Sequence, residues 1–160
     1  MAFIRRFIRA LALVVLIVAL HSELWGTEGM RALVGNRPVL FPLALALALS
    51  VAVHELLHLA GYVWLGGAPV GAVHLEWRGV VIVARCDVPL TARSYRQAVA
   101  LPGLLLGVVP TIAGLASGIA WVTLYGAVML GASVGDMGVL WTLRKYGAGE
   151  EGVDRSGGRG

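Results

Sequence analysis

The chain has 160 residues, of which 58% are hydrophobic and 14% charged, with a mean hydropathy of +0.82. Soluble domains carry about 25% charged residues, so an ordinary soluble globule is excluded. The formal charge of +4 sits at the ends of the apolar stretches rather than on one face, which argues against nucleic acid as a partner.

In chain order, Arg5, Arg6 and Arg9 lead into an apolar run from Ala10 to Leu20. A cleaved signal peptide has the same outline, but no small-x-small cleavage signal precedes Glu23, and a retained first helix is expected. His21, directly after the run, reads as an interfacial residue. Residues 21–38 form the expected outer loop, with mixed charges at Glu23, Glu28, Arg31 and Arg37.

The second apolar segment runs from about Val39 to Leu65, with Asn36 and Pro38 at its start and Gly66, Gly67 and Pro69 at its end. Crossing a bilayer takes about 20 residues at 1.5 Å each, which this segment supplies. The stretch Val70 to Arg96 differs in kind. It holds Arg78, Arg85, Arg93 and Arg96 with Glu76 and Asp87, and β-branched residues flank Arg78-Gly79. That pattern predicts a short hairpin, placed at the interface or against the helices because open strand edges are not satisfied in lipid.

The last apolar block, Gln97 to Leu143, is too long for one span and divides near Gly114 to Gly118. Helices over 97–115 and 119–143 are predicted, the first kinked by Pro102 and Pro110. Small residues such as Gly126, Ala127, Gly131, Ala132, Ser133 and Gly135 favour close helix packing. Trp25, Trp64 and Trp77 suit the aromatic belt at a membrane surface. The glycine-rich, charged tail is expected to be flexible.

These elements predict an all-α polytopic membrane protein, with about four transmembrane helices and a strand-like hairpin in an inner loop. The expected organisation is an N-terminal helix and outer loop over 1–37, a membrane-embedded core over 38–146 and an inner tail over 147–160. With four crossings, the N-terminal arginines, the 70–96 loop and Arg144-Lys145 all fall on one side. Basic residues favour the cytoplasmic side, so both termini are expected there, in a multi-pass protein of the cell membrane. Cys86 is the only cysteine, which excludes an intrachain disulfide and a cysteine-built metal site.

The strongest chemical signal is His54-Glu55-Leu56-Leu57-His58, an HExxH on the second apolar segment. Residues four apart share a helix face, so both imidazoles can reach one tetrahedral zinc, with Glu55 beside them to act on the attacking water. Ionisable groups inside a membrane segment are costly and point to function. A catalytic zinc takes three protein ligands and leaves one position open. Asp136 is the acidic residue at matching depth: His54 and His58 lie 15 and 19 residues into their descending helix, and Asp136 lies 17 into its own. His74, Glu76 and Asp87 are poorer third ligands because they belong to the interfacial loop. His74 can be read either as steadying a tetrahedral intermediate or as a surface histidine.

The combination of HELLH at 54–58, the basic loop with its strand-like segment, ALPGLLLGVVP at 100–110 and SVGDMGVLWTLRK at 133–145 resembles a known group. It is similar to the zincin peptidases of the family termed domain of unknown function 3267, which are related in plan to site-2-protease-like intramembrane metallopeptidases. The resemblance covers about residues 38–146. It implies a zinc ion held by His54, His58 and Asp136, with Glu55 as general base. The sequence differs from the familiar site-2 proteases in carrying Gly135-Asp136-Met137 where they have proline or leucine before Asp-Gly.

The expected function is therefore intramembrane, zinc-dependent hydrolysis of a membrane protein or peptide substrate. The alternative is a non-hydrolytic membrane metal-binding or transport subunit, which would keep the three ligands without needing Glu55. The lipid bilayer is the other expected partner. Substrate, cleavage site and oligomeric state, a homo-oligomer included, are left open by the sequence.

Overall fold

The computed structural model describes residues 2–35, 37–79, 81–147 and 151–152. Its helices are α1 (Ala2–Trp25), α2 (Glu28–Gly35), α3 (Arg37–Trp64), α4 (Ala92–Pro102), α5 (Val109–Ser117), α6 (Ala120–Ala132) and α7 (Val134–Leu143). Strands β1 (Val73–Arg78) and β2 (Val81–Cys86) form a hairpin, and the short β3 (Leu90–Thr91) pairs with β4 (Glu151–Gly152). Three helical stretches are long and apolar enough to cross a membrane: Ile4–Trp25, Pro38–Trp64 and Ala92–Ser117. The pair α6–α7 passes the same test but is bent by 47°. The architecture is thus an all-α polytopic one with a small hairpin, as the sequence predicts.

Two details differ from expectation, and a third adds to it. The loop at 21–38 contains α2, whose first turn carries Glu28 in an ion pair with Arg31 at 3.3 Å. The last span is broken at Ser133 instead of running straight. Pro102 and Pro110 flank a stretch that winds as a π-helix over Gly103–Val108, and the whole forms a single span of 26 residues. A proline removes one amide donor and crowds the carbonyl four residues back. Asn36 and most of the tail lie outside the described residues.

The chain divides into two compact units, Met1–Ala52 with Gly103–Met137, and Val53–Pro102 with Gly138–Gly160. In the first unit α5 and α6 pack through a reciprocal motif. A Cβ on Gly114 would collide with the Thr123 amide and hydroxyl, and one on Gly126 with those of Thr111. Thr111-x-x-Gly114 and Thr123-x-x-Gly126 therefore interlock, each glycine lying beneath the other helix's threonine, as close packing in lipid favours. The turn between these helices uses Gly118 at φ +72°, covered by the Trp25 ring. Trp25 Nε1 donates to the Leu115 carbonyl at 2.8 Å.

This packing gives His21 a partner. It is 1% exposed, with Nδ1 2.9 Å from Thr123 Oγ1, and so is a buried polar contact of the helix bundle. A polar group can be taken into such a place when it is hydrogen-bonded there.

In the second unit the core is Tyr62, Ala68, Ala84, Leu90 and Ala98. Helix α3 ends where the glycines predict, with Gly67 at φ +69° and the Ala68 amide donating back to the Tyr62 carbonyl at 3.0 Å. The hairpin register runs from Arg78↔Val81 to Val73↔Cys86. Gly79, at φ +66°, takes the first place of the two-residue turn, where positive φ matches the twist of the strands. His74, Glu76 and Arg78 share one face of the hairpin with Arg85, since alternate residues of a strand point the same way. Leu75, Trp77 and Ile82 lie on the other face and are exposed.

Candidate metal centre

Helix α3 fixes the first two donors. His54 and His58 are one turn apart, and their rings meet edge to face at a centroid distance of 4.9 Å. His58 is buried, and its Nδ1 lies 3.2 Å from the Ala98 carbonyl oxygen on α4. A carbonyl only accepts, so the ring carries a proton on Nδ1. The His58 ring also stacks on Tyr62 at 6.5 Å, and Tyr62 on Tyr95 at 5.7 Å. Packing and a backbone hydrogen bond thus both set the orientation of His58.

Glu55 lies on the same turn. Its Oε2 receives a hydrogen bond of 2.8 Å from the Ala84 amide of β2. Because that amide points away from β1, the outer edge of β2 is the edge that flanks Glu55. A carboxylate held by a backbone donor is fixed in place, with its second oxygen atom available to another proton.

Asp136 lies in the first turn of α7, just past the break at Ser133. The first turn of a helix favours a carboxylate, through the partial positive charge of its unpaired amides. The ligand atoms of His54, His58 and Asp136 all lie within 4.8 Å of one another. A tetrahedral zinc with bonds of about 2.0–2.1 Å separates its donors by roughly 3.4 Å, and the three residues are a group that could hold such an ion. Two neutral nitrogens and one carboxylate are a donor set that suits zinc.

The loop residues go elsewhere. His74 Nδ1 lies 3.4 Å from Asp87 Oδ2, on an exposed pair of side chains. Glu76 receives the Arg85 guanidinium at 2.6 Å and lies 3.5 Å from that of Arg78. The hydrogen bond from Arg85 holds the Glu76 carboxyl below its ordinary value, against the opposing effect of desolvation, and the charges of Arg85 and Arg78 add to the lowering. Among the described residues, His54, His58 and Asp136 are the group that can hold a metal ion.

Sequence reasoning did not find the Ala84 amide or the Ala98 carbonyl. Backbone groups carry no residue signature. Tyr62 was within reach of it, since it stands one turn beyond His58 and continues the face of the HExxH.

Comparison with known proteins bears on the same region. No curated protein and no solved structure matches the chain. Residues 47–150 match the family described as "Putative zincin peptidase". That stretch is more than half of the chain and includes all three donors and Glu55, and on it the chain belongs to this zincin peptidase family.

Proposed function

We propose that the chain is an intramembrane zinc-dependent peptidase, with His54, His58 and Asp136 as metal ligands and Glu55 as general base and acid. The observation that carries the reading is the convergence of the three donor atoms within 4.8 Å, with Glu55 on the same helical turn as the two histidines. Both sides of the helix turn are needed: one holds the metal, the other handles protons.

Zinc bound there would polarise the scissile carbonyl and lower the pKa of water at the site. Glu55 accepts the proton of the attacking water and passes it to the amine that leaves as the C–N bond breaks. The Ala84 amide keeps the Glu55 carboxylate aimed during both transfers. An extended peptide added to the outer edge of β2 would run beside Glu55, which makes the hairpin the place for substrate to dock. The termini and the hairpin loop belong on the cytoplasmic side in this reading, in agreement with the basic clusters.

The test is elemental analysis of detergent-purified protein beside a cleavage assay on membrane-peptide substrates. One zinc per wild-type chain, lost in folded His54→Ala and Asp136→Ala, is expected. Glu55→Gln should keep the metal and lose cleavage by roughly 10²–10⁴-fold, the usual contribution of a general base. If Glu55→Gln cleaves as the wild type does, the peptidase mechanism is wrong. If metal is bound and no cleavage is found for any variant, the non-hydrolytic metal-binding role takes its place.

A further inference from the structure

We propose that Pro102 and Gly61 are positioning residues that orient His58 for metal binding. The inference rests on the zinc-site reading above and extends it to two residues that touch no substrate and no metal.

In an α-helix the carbonyl of residue 98 accepts from the amide of residue 102. Here residue 102 is proline, inside α4, and proline has no amide proton to give. Ala98 is fully buried, so water does not replace the missing donor, and a buried carbonyl requires a partner. The His58 ring supplies one, with Nδ1 at 3.2 Å. Pro102 thus leaves the Ala98 carbonyl turned toward a side chain on another helix, and that carbonyl in turn fixes which nitrogen of His58 holds the proton. An outer partner of this kind sets the tautomer and ring angle of a metal-ligating histidine.

The contact also needs α4 to lie close against α3. Gly61 stands three residues after His58 on the same helix face. A Cβ at Gly61 would come within 2.7 Å of Ala98 Cα and 3.2 Å of its carbonyl oxygen. Any larger residue would push α4 away and lengthen the bond to His58. The two residues act on one atom: Pro102 removes its helical donor, and Gly61 lets it approach.

The experiment compares wild type, Pro102→Ala and Gly61→Ala in detergent, with Pro110→Ala as control. Alanine at 102 restores an amide that competes for the Ala98 carbonyl and is compatible with a helix, so the fold is retained. Pro110→Ala replaces a proline in the first turn of α5, in the other unit. Zinc affinity is measured by chelator competition, and the His58 tautomer by nitrogen-15 NMR of the zinc-free protein. Expected are a fall in affinity of about 10–100-fold for both site variants, loss of the Nδ1-protonated form in Pro102→Ala, and wild-type behaviour in Pro110→Ala. A folded Pro102→Ala protein with wild-type affinity and tautomer overturns the proposal, whatever Gly61→Ala does. Absence of zinc binding in wild type, with the Nδ1-protonated ring intact, would instead sink the zinc reading, and with it the purpose assigned to the two residues.

Discussion

Two histidines are buried in the apolar helices, one in each unit, and the contrast between them separates packing from chemistry. His21 meets Thr123 Oγ1 at 2.9 Å, and His58 meets the Ala98 carbonyl at 3.2 Å. A hydroxyl can donate or accept, so His21 is satisfied in either tautomer. A carbonyl accepts only, so His58 is held in one. The neighbours differ as well. One turn either side of His21 stand Ile17 and Trp25, which offer no donor to a metal, whereas one turn before His58 stands His54, with its ring centroid 4.9 Å away. Burial of a histidine does not make a site. The candidate site differs from the His21 contact in spacing and in a fixed tautomer.

Replacing each histidine by alanine is the sharpest way to break that comparison. His58→Ala should weaken zinc binding by more than the roughly 10–100-fold that loss of an outer partner costs, because a ligand itself is gone. His21→Ala should keep affinity within about twofold of wild type, since it lies in the other role. Chelator competition reads both. Equal losses would mean that His21 serves the site, and the contrast would collapse.

The next effects are on stability, and they belong to the first unit. Gly126→Ala would drive a methyl group into the Thr111 backbone, 2.9 Å from the Pro110 carbonyl carbon as well, and overpacking of this kind costs about 1–3 kcal/mol. Gly138→Ala is the control, as a Cβ there meets nothing within 4 Å. Thermal unfolding in detergent should show a clear drop for the first and almost none for the second. His21→Ala should cost less than Gly126→Ala, on the order of 1 kcal/mol for the lost hydrogen bond, because the Thr123 hydroxyl is still 3.4 Å from the Ile119 carbonyl. A Gly126→Ala protein as stable as wild type would show that the interlocked threonine–glycine pairs are not tightly packed.

The same contrast shows what was legible in the sequence. The apolar segments, the hairpin at Arg78-Gly79 and the HExxH were readable, because each rests on a local pattern of residue types. The burial of His21 was not readable, because the pattern around it is only the end of an apolar run and its partner Thr123 lies 102 residues away. The prolines at 102 and 110 were legible as residues, but the π-helix between them depends on neighbouring turns. Asp136 was selected by depth and by family resemblance, and its donor atom lies within 4.8 Å of the two histidines. The break at Ser133 that puts Asp136 in a helical first turn had no sequence marker beyond the glycines around it. The two backbone groups that hold Glu55 and His58 were invisible, as backbone groups always are to a reading by residue type.

The smallest expected effect concerns the charged face of the hairpin, far from either histidine's role. Arg85 donates to Glu76 at 2.6 Å, and this bond lowers the Glu76 carboxyl below its ordinary value. A carboxyl lowered in the folded state contributes stability above its unfolded pKa and loses it as pH falls through the folded one. The window therefore lies at and below the ordinary carboxylate range, and the loss is on acidification, never on raising the pH. Hydrogen exchange across 73–86 should show the hairpin loosening in that window in wild type. The pair is partly open to solvent and screened, so the loosening should be slight and should shrink further in high salt. Glu76→Gln should flatten the acid response, because glutamine keeps an acceptor for Arg85 but has no proton to gain. An acid response that survived Glu76→Gln would mean that another group couples the hairpin to pH, and that the Glu76–Arg85 bond is only a surface contact.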